Sequence, residues 1–321
     1  MTDLETARKR WLQERPKYEQ FGKELEKRLR TELRQAGIWA DVTSRAKEMD
    51  GFIRKLIKKP SHNYESVSDK SGIRVILRYK NEVDAVLALA EKSFKCGQPE
   101  QKADTLKLDQ VGYLSVHVDV KLCADDPLVA TYPPQKFQAE LQVRTLAQHL
   151  WSEMSHDTYY KNDDTLNPLP NSIKRRIFLL AGVVEVADSE FTRLNMETPT
   201  TPELDLLKSL ERHYYKLTTR RGDPEISLAL IHLLMPLYEK ESRQIVSHLD
   251  HFYAEHEDVI REVYEEAEGT PNRSAYLYQP EALMIYDRLC ADTAVIRKVW
   301  SAHYPERELE RIANAFGISF D

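Results

Sequence analysis

The stretch Phe137 to Lys161, FQAELQVRTLAQHLWSEMSHDTYYK, changes its hydrophobic period half-way along. In the first half Phe137, Ala139, Leu141 and Val143 alternate with Gln138, Glu140, Gln142 and Arg144, the pattern of a half-buried strand. After Thr145, a residue suited to an N-cap, Leu150, Trp151 and Met154 recur at helical spacing. A strand running straight into a helix in this way requires a sheet with one wet face. That face carries an acid, an amide and a guanidinium in register, and the helix adds Glu153, His156 and, further on, Lys161. Water-facing strands alternate similarly, so this segment alone defines no more than a solvated sheet face.

Two upstream stretches extend the pattern. In SDKSGIRVILRY, Asp69 and Gly72 precede a strand carrying Arg74, Val75 and Leu77. In VGYLSVHVDV, Gly112 and Tyr113 lead into Ser115 and His117, with Val116, Val118 and Val120 alternating behind them. Strands are expected at 38–45, 72–79, 112–122 and 136–144, interleaved with helices. They predict an α/β (α+β) domain built on one mixed sheet flanked by helices. Among the ten glycines no Walker-A or G-x-G-x-x-G pattern occurs, which argues against a P-loop or Rossmann nucleotide site.

Taken in order, the three stretches resemble the RelA/SpoT-type nucleotide pyrophosphokinases, the (p)ppGpp synthetases. That family's motifs run roughly D-x-x-G-x-R, G-Y-x-S-x-H and E-x-Q-x-R-T, followed by W-x-E-x-x-H and Y-K. The resemblance implies a synthetase that moves pyrophosphate from ATP to the ribose 3'-hydroxyl of GDP or GTP with Mg2+. It places Asp69 and Glu140 on the metal, with Glu140 also able to activate the hydroxyl. Arg45, Lys47 and Lys55 match the family's R-x-K pattern and its further Lys, which serve the ATP donor. Gly51 stands where the family commonly has Ser. Tyr113 matches the tyrosine that stacks on the acceptor base, and Arg74, His117, Gln142 and Arg144 shape the phosphate and ribose pocket. Around the acceptor tyrosine the chain departs, with Leu108, Asp109, Gln110 and Val111 for P-K-x-N and Leu114 for Arg; Lys102 and Lys107 stay nearby. The acceptor is therefore open between a free guanine nucleotide and the 3' end of tRNA, as in toxin-like members. A catalytically inactive nucleotide sensor is the non-enzymatic alternative. No hydrolase domain fits before residue 40, so synthesis without hydrolysis is expected.

Other parts of the chain are less informative. A helix is expected from Pro16 to Ala36, with Tyr18, Phe21, Leu25, Leu29 and Leu33 on one stripe and Gly37 as C-cap. A second should contain Phe52, Ile53 and Leu56 and end at Pro60. Residues 1–60 carry a charge balance of +6 against -12 for the remainder, which suits a polyanionic substrate and equally suits charged amphipathic helices. Beyond Asn167-Pro-Leu-Pro170 the pattern is helical almost throughout. Ile173, Ile177, Leu180, Val184, Ala187, Phe191 and Leu194 repeat by fours and threes. Further helices are expected near 225–239, 242–267, 279–303 and 306–316. The implied division is an N-terminal helical segment 1–37, a synthetase domain 38–166 and an all-α region 167–321. That region is expected to regulate, to bind a protein partner or to self-associate. Cys96, Cys123 and Cys290 suggest neither a disulfide framework nor a zinc site. A mean hydropathy of -0.56 and no long apolar run point to a cytoplasmic protein without a membrane span.

Overall fold

The computed structural model describes residues 4–58, 63–101, 115–155, 170–198, 201–239, 244–267 and 274–320. They fall into two compact units, one of residues 1–33 with 38–198, the other of 34–37 with 199–321.

The first unit is organised by helix α1 (Leu4–Gln35), which buries Ala7, Trp11, Tyr18, Phe21, Leu25, Leu29 and Leu33 at three- and four-residue spacing. The helix begins twelve residues before Pro16 and carries that proline in its interior, where the sequence suggests a start. A proline within a helix costs about 3 kcal/mol. Burial offsets it, since Trp11 is fully buried and stacks on Phe52 with ring centroids 4.8 Å apart. At the other end Gly37 adopts φ +69° and donates its N–H to the Arg34 carbonyl at 2.9 Å, the expected left-handed cap.

Among the described residues the sheet has six strands: β1 (Ala40–Ala46), β2 (Ser71–Leu77), β3 (Lys95–Cys96), β4 (Glu100–Gln101), β5 (Val116–Lys121) and β6 (Ala139–Thr145). Its order is β1-β2-β6-β5-β3, with β4 also pairing β5. Only β2 and β6 run parallel, so the sheet is mixed. Helices α2 (Met49–Lys58) and α3 (Val83–Ser93) lie between strands as expected. The two-residue strands β3 and β4, between α3 and β5, were not among the expected strands. Two residues cannot display a period.

One face of the sheet is apolar. Val42, Ile73, Val75, Val118, Val120, Ala139, Leu141 and Val143 are buried in one core with α1 and with Val86 and Ala90 of α3. At Gly22 the helix nearly touches the strands, for a Cβ there would sit 2.7 Å from Ser71 Oγ and 3.3 Å from Ser44 Cβ. The opposite face is polar and carries the candidate site.

After β6, helix α4 (Leu146–Ser155) starts on a capping box. Thr145 Oγ1 accepts from the Gln148 N–H at 3.2 Å, and Gln148 Oε1 accepts from the Thr145 N–H at 3.0 Å. Helix α5 (Asn171–Glu197) completes this unit. The expected break at Asn167 to Leu169 lies outside the described residues; Pro170 immediately precedes α5.

In the second unit, α6 (Pro202–Thr218), α7 (Pro224–Leu234), α8 (Ile245–Ala267), α9 (Ala282–Ala291), α10 (Thr293–Ser301) and α11 (Glu306–Ala315) share a core. It includes Leu206, Tyr214, Ile231, Tyr238, Met284 and Trp300. The single helix expected over 279–303 is two helices. Asp292 separates them, its side chain accepting from the N–H groups of Ala294 and Val295 to cap α10. Among the described residues no helix is long and apolar enough to cross a membrane.

Candidate active site

Strand register decides which side chains meet on the polar face. Arg45 of β1 lies opposite Gly72 of β2, Gly72 beside Glu140 of β6, and Glu140 opposite Asp119 of β5. Two residues further on, Arg74 is level with Gln142, and Gln142 with His117. Arg144 follows another two along β6. Rising about 3.3 Å per residue, this polar ladder runs about 13 Å from Glu140 to Arg144.

At its first end Asp69 stands just ahead of β2, held between two ammonium groups. Lys47 Nζ lies 2.5 Å from Oδ2, and Lys55 Nζ, from α2, lies 2.8 Å from Oδ1. Burial opposes ionisation of this carboxyl, but the two lysines outweigh it and hold the pKa below the usual aspartate range. The next residue points away. Lys70 is buried with its ammonium 4.6 Å from the Tyr64 ring centroid, which anchors the turn that presents Asp69.

Gly72 provides the floor beside Glu140. A Cβ there would find only the backbone oxygens of Glu140 at 3.8 Å and Arg45 at 4.0 Å, so space is open above the strands. Glu140 Oε2 accepts from Gln142 Nε2 at 2.5 Å, and Oε1 lies 3.3 Å from His117 Nδ1. Burial would raise the Glu140 pKa; His117 first and then Gln142 reverse that, so the carboxyl is ionised at neutral pH.

At the far end α4 brings Glu153 over the ladder. Its Oε1 is 3.2 Å from Arg74 Nη1, 4.0 Å from Arg144 Nη2 and 3.6 Å from His149 Nδ1. Arg144 is buried. Burial, then the positive charge of Arg144 and Arg74, lowers the His149 pKa, favouring the neutral ring.

The face thus gathers Arg45, Lys47, Lys55, Asp69, Arg74, His117, Glu140, Gln142 and Arg144. Tyr113, His156 and Lys161 lie outside the described residues, as do Lys102, Lys107 and the departing positions Leu108 to Val111 and Leu114. Two members were not anticipated. Asp119 is the partner of Glu140 across the strands, and partial burial followed by Glu140 raises its pKa although the residue reaches solvent. Its position two after His117 in an alternating strand was the available signal. His149 stands four residues before Glu153, one helical turn.

Whether this face suits Mg2+ depends on its donors. Carboxylates are the hard oxygen ligands that ion takes. Like-charge crowding of Asp119 against Glu140 marks a place where a cation would relieve repulsion. Among the described residues no three His, Cys, Asp or Glu side chains are gathered closely enough to hold a metal unaided. A two-carboxylate site completed by phosphate oxygens is the arrangement these residues fit.

A cationic rim, an open glycine floor and ionised carboxylates thus lie together on one face, an arrangement whose chemistry suits a phosphorylated ligand. Residues 44–165 match the family profile described as "Region found in RelA / SpoT proteins". The segment that carries the site is thus a RelA/SpoT-type region, and curated proteins it is similar to are pyrophosphokinases. It is similar to the GTP pyrophosphokinase YjbM of Bacillus subtilis, 25% identical over 160 residues covering 49% of this chain and 72% of that protein. A second Bacillus subtilis protein, the GTP pyrophosphokinase YwaC, is 25% identical over 139 residues, covering 41% and 63%. A GTP pyrophosphokinase family protein from Streptococcus pneumoniae superposes with a TM-score of 0.49 at 24% identity, covering 59% of this chain and 94% of that one.

Proposed function

We propose that the protein is an ATP-dependent pyrophosphokinase that transfers the β,γ-pyrophosphoryl group of ATP to the ribose 3'-hydroxyl of GDP or GTP, yielding AMP and a (p)ppGpp-type nucleotide. The observation that carries this reading is Asp69 clasped by Lys47 and Lys55, separated from ionised Glu140 by the bare floor at Gly72. Without nucleotide, Asp69 neutralises both ammonium groups. With ATP present, those groups and Arg45 turn to the phosphate oxygens, where several fixed cationic donors are needed. Asp69, freed of them, and Glu140 would be the residues to hold Mg2+, which would neutralise charge on the donor phosphates.

In the transfer, the 3'-oxygen of the acceptor forms a bond to the β-phosphorus while the bond from that phosphorus to the α-bridging oxygen breaks. AMP leaves with the electron pair. Glu140 takes the proton of the hydroxyl, and His117 and Gln142 fix the orientation of its two oxygens. Arg74 and Arg144 offer planar guanidinium groups for the remaining phosphates, positioned by Glu153. Most of the catalytic effect then comes from alignment and charge neutralisation.

Incubation with ATP labelled at the β-phosphorus, magnesium and either GDP or GTP tests the reading. Label appearing on a guanine nucleotide together with stoichiometric AMP is expected. Label on tRNA alone would replace the acceptor, and label on no acceptor would refute the activity.

A further inference from the structure

We propose that Asp119 selects the sugar of the acceptor, its carboxylate accepting a hydrogen bond from the ribose 2'-hydroxyl beside the reacting 3'-oxygen. The inference rests on the transfer reaction proposed above. One row of residues crosses the sheet at this level: Arg45 lies opposite Gly72, Gly72 beside Glu140, and Glu140 opposite Asp119. Gly97, just past β3, ends the row, donating its N–H to the Asp119 carbonyl at 2.8 Å. The two acids are therefore bracketed by two residues without side chains. A Cβ at Gly97 would sit 3.7 Å from the Asp119 Cβ, so a larger residue there would crowd the carboxylate. Directly opposed residues on neighbouring strands have Cβ atoms about 5 Å apart, close enough for the two carboxylates to serve adjacent oxygens of one sugar.

The hydrogen bonds already made single out Asp119. Asp69 commits both oxygens to Lys47 and Lys55, and Glu140 commits both to Gln142 and His117. Among the described residues the Asp119 carboxylate has no hydrogen bond or ion pair, and Lys121 and Lys55 reach it only as more distant charges. Aspartate is a poor strand residue, and like charges directly opposite each other destabilise a sheet. The fold thus bears a cost at this position, and what it holds in return is an open acceptor, the group that a substrate hydroxyl needs.

The donor decides which side the sugar takes. Lys47, Lys55 and Asp69 gather on the β1–β2 side of Glu140, where the ATP phosphates are proposed to lie. The 3'-oxygen attacks in line, from the side away from the leaving AMP, so the acceptor ribose extends over β5. Its 2'-oxygen, on the adjacent carbon, then falls to Asp119. A 2'-deoxy sugar leaves that carboxylate without its donor.

The test compares GTP with 2'-deoxy-GTP as acceptor, using β-labelled ATP and magnesium, in the wild type, Asp119→Ala and Asp119→Asn. The wild type should favour GTP about 10- to 100-fold in kcat/KM. Asp119→Ala should slow transfer to GTP far more than transfer to 2'-deoxy-GTP and bring the ratio within about threefold, while Asp119→Asn, which keeps a neutral acceptor oxygen, should fall between. Both substitutions fall at an exposed residue and relieve a like-charge contact, so folding is not at stake. Equal use of the two nucleotides by the wild type would overturn the assignment. So would an Asp119→Ala variant slowed alike with both, as a purely structural or general electrostatic part predicts. Calorimetric dissociation constants for the two nucleotides, taken without ATP, give the ratio independently of turnover, and failure to bind either would also overturn it. Transfer whose ratio ignores Asp119 sinks this assignment and leaves the reaction standing. A binding preference that collapses in Asp119→Ala, in a protein that transfers nothing, upholds the assignment and sinks the reaction.

Discussion

Replacing Asp69 with asparagine removes one negative charge and almost no volume. In the free protein that charge faces ammonium groups at 2.5 and 2.8 Å, and all three side chains are less than a third exposed. With charge centres about 4 Å apart and an effective dielectric near 20, each contact is worth about 4 kcal/mol before desolvation. Desolvation of the three charges cancels most of this, and the lysines can swing to solvent, leaving a net loss of about 1–3 kcal/mol. The sign with pH follows from the lowered pKa. Asp69 contributes stability above its unfolded value of about 4, and that contribution disappears as pH falls through the folded value. The substitution should therefore destabilise at neutral pH and lose its effect in acid. If Asp69 holds the metal as proposed, the effect on transfer should be far larger, at least about 1,000-fold, because that ligand is lost while the cationic rim stays. The assays are initial rates with β-labelled ATP and urea unfolding at neutral pH and near pH 3. Turnover within tenfold of the wild type would refute the role given to Asp69. A large stability loss persisting in acid would refute the ion-pair account.

Other expectations are briefer. Glu140→Gln should abolish transfer with the melting temperature nearly unchanged, whereas Glu65→Gln, at a surface pair with Arg10, should leave rates intact; equal rates for the two would remove Glu140 from the reaction. Burial pushes the Glu281 carboxyl up to about 7, so the folded chain keeps a proton there that the unfolded chain releases near 4.5. Stability should fall by up to about 3 kcal/mol as pH rises between those values, and Glu281→Gln should flatten that slope in urea unfolding. Trp11→Ala should cost about 3–5 kcal/mol in the same assay through loss of its buried stack on Phe52, and a cost below about 1 kcal/mol would contradict the path of α1 through Pro16. Removing residues 199–321 should change the transfer rate if the helical unit regulates the domain, measured on soluble truncated protein with a native melting transition.

The central strands were legible because each is half-buried and long enough to alternate. Glu140, Gln142 and Arg144 share a face by parity alone, and β2 and β6 place Gly72 and Arg74 beside them. Asp119 obeys the same parity, yet an acid on a strand's wet side is the commonest thing to find there. Only the cross-strand register shows that it faces Glu140. Trp11 was hidden because Pro16 breaks the local rule and distant packing restores it. The division at Asp292 was hidden because the apolar repeat continues on both sides of the cap. The clasp of Asp69 by Lys47 and Lys55 joins residues 22 and 14 positions apart, and periodicity says nothing about which cation reaches which acid.

The close approach at Gly22 has a consequence for mutations far from any substrate. Ser44 and Ser71, the side chains it nearly touches, are the immediate neighbours of Arg45 and Gly72 on the other side of the same two strands. A methyl group added at residue 22 cannot be absorbed by a flexible tip alone, so the helix must lift or the strands must bow. Bowing moves the cationic rim away from Glu140 with no change in any residue that meets a ligand. The back of the sheet is thus the alignment screw of the front, and variants impaired in rate yet intact in every contacting side chain should cluster along the α1 seam.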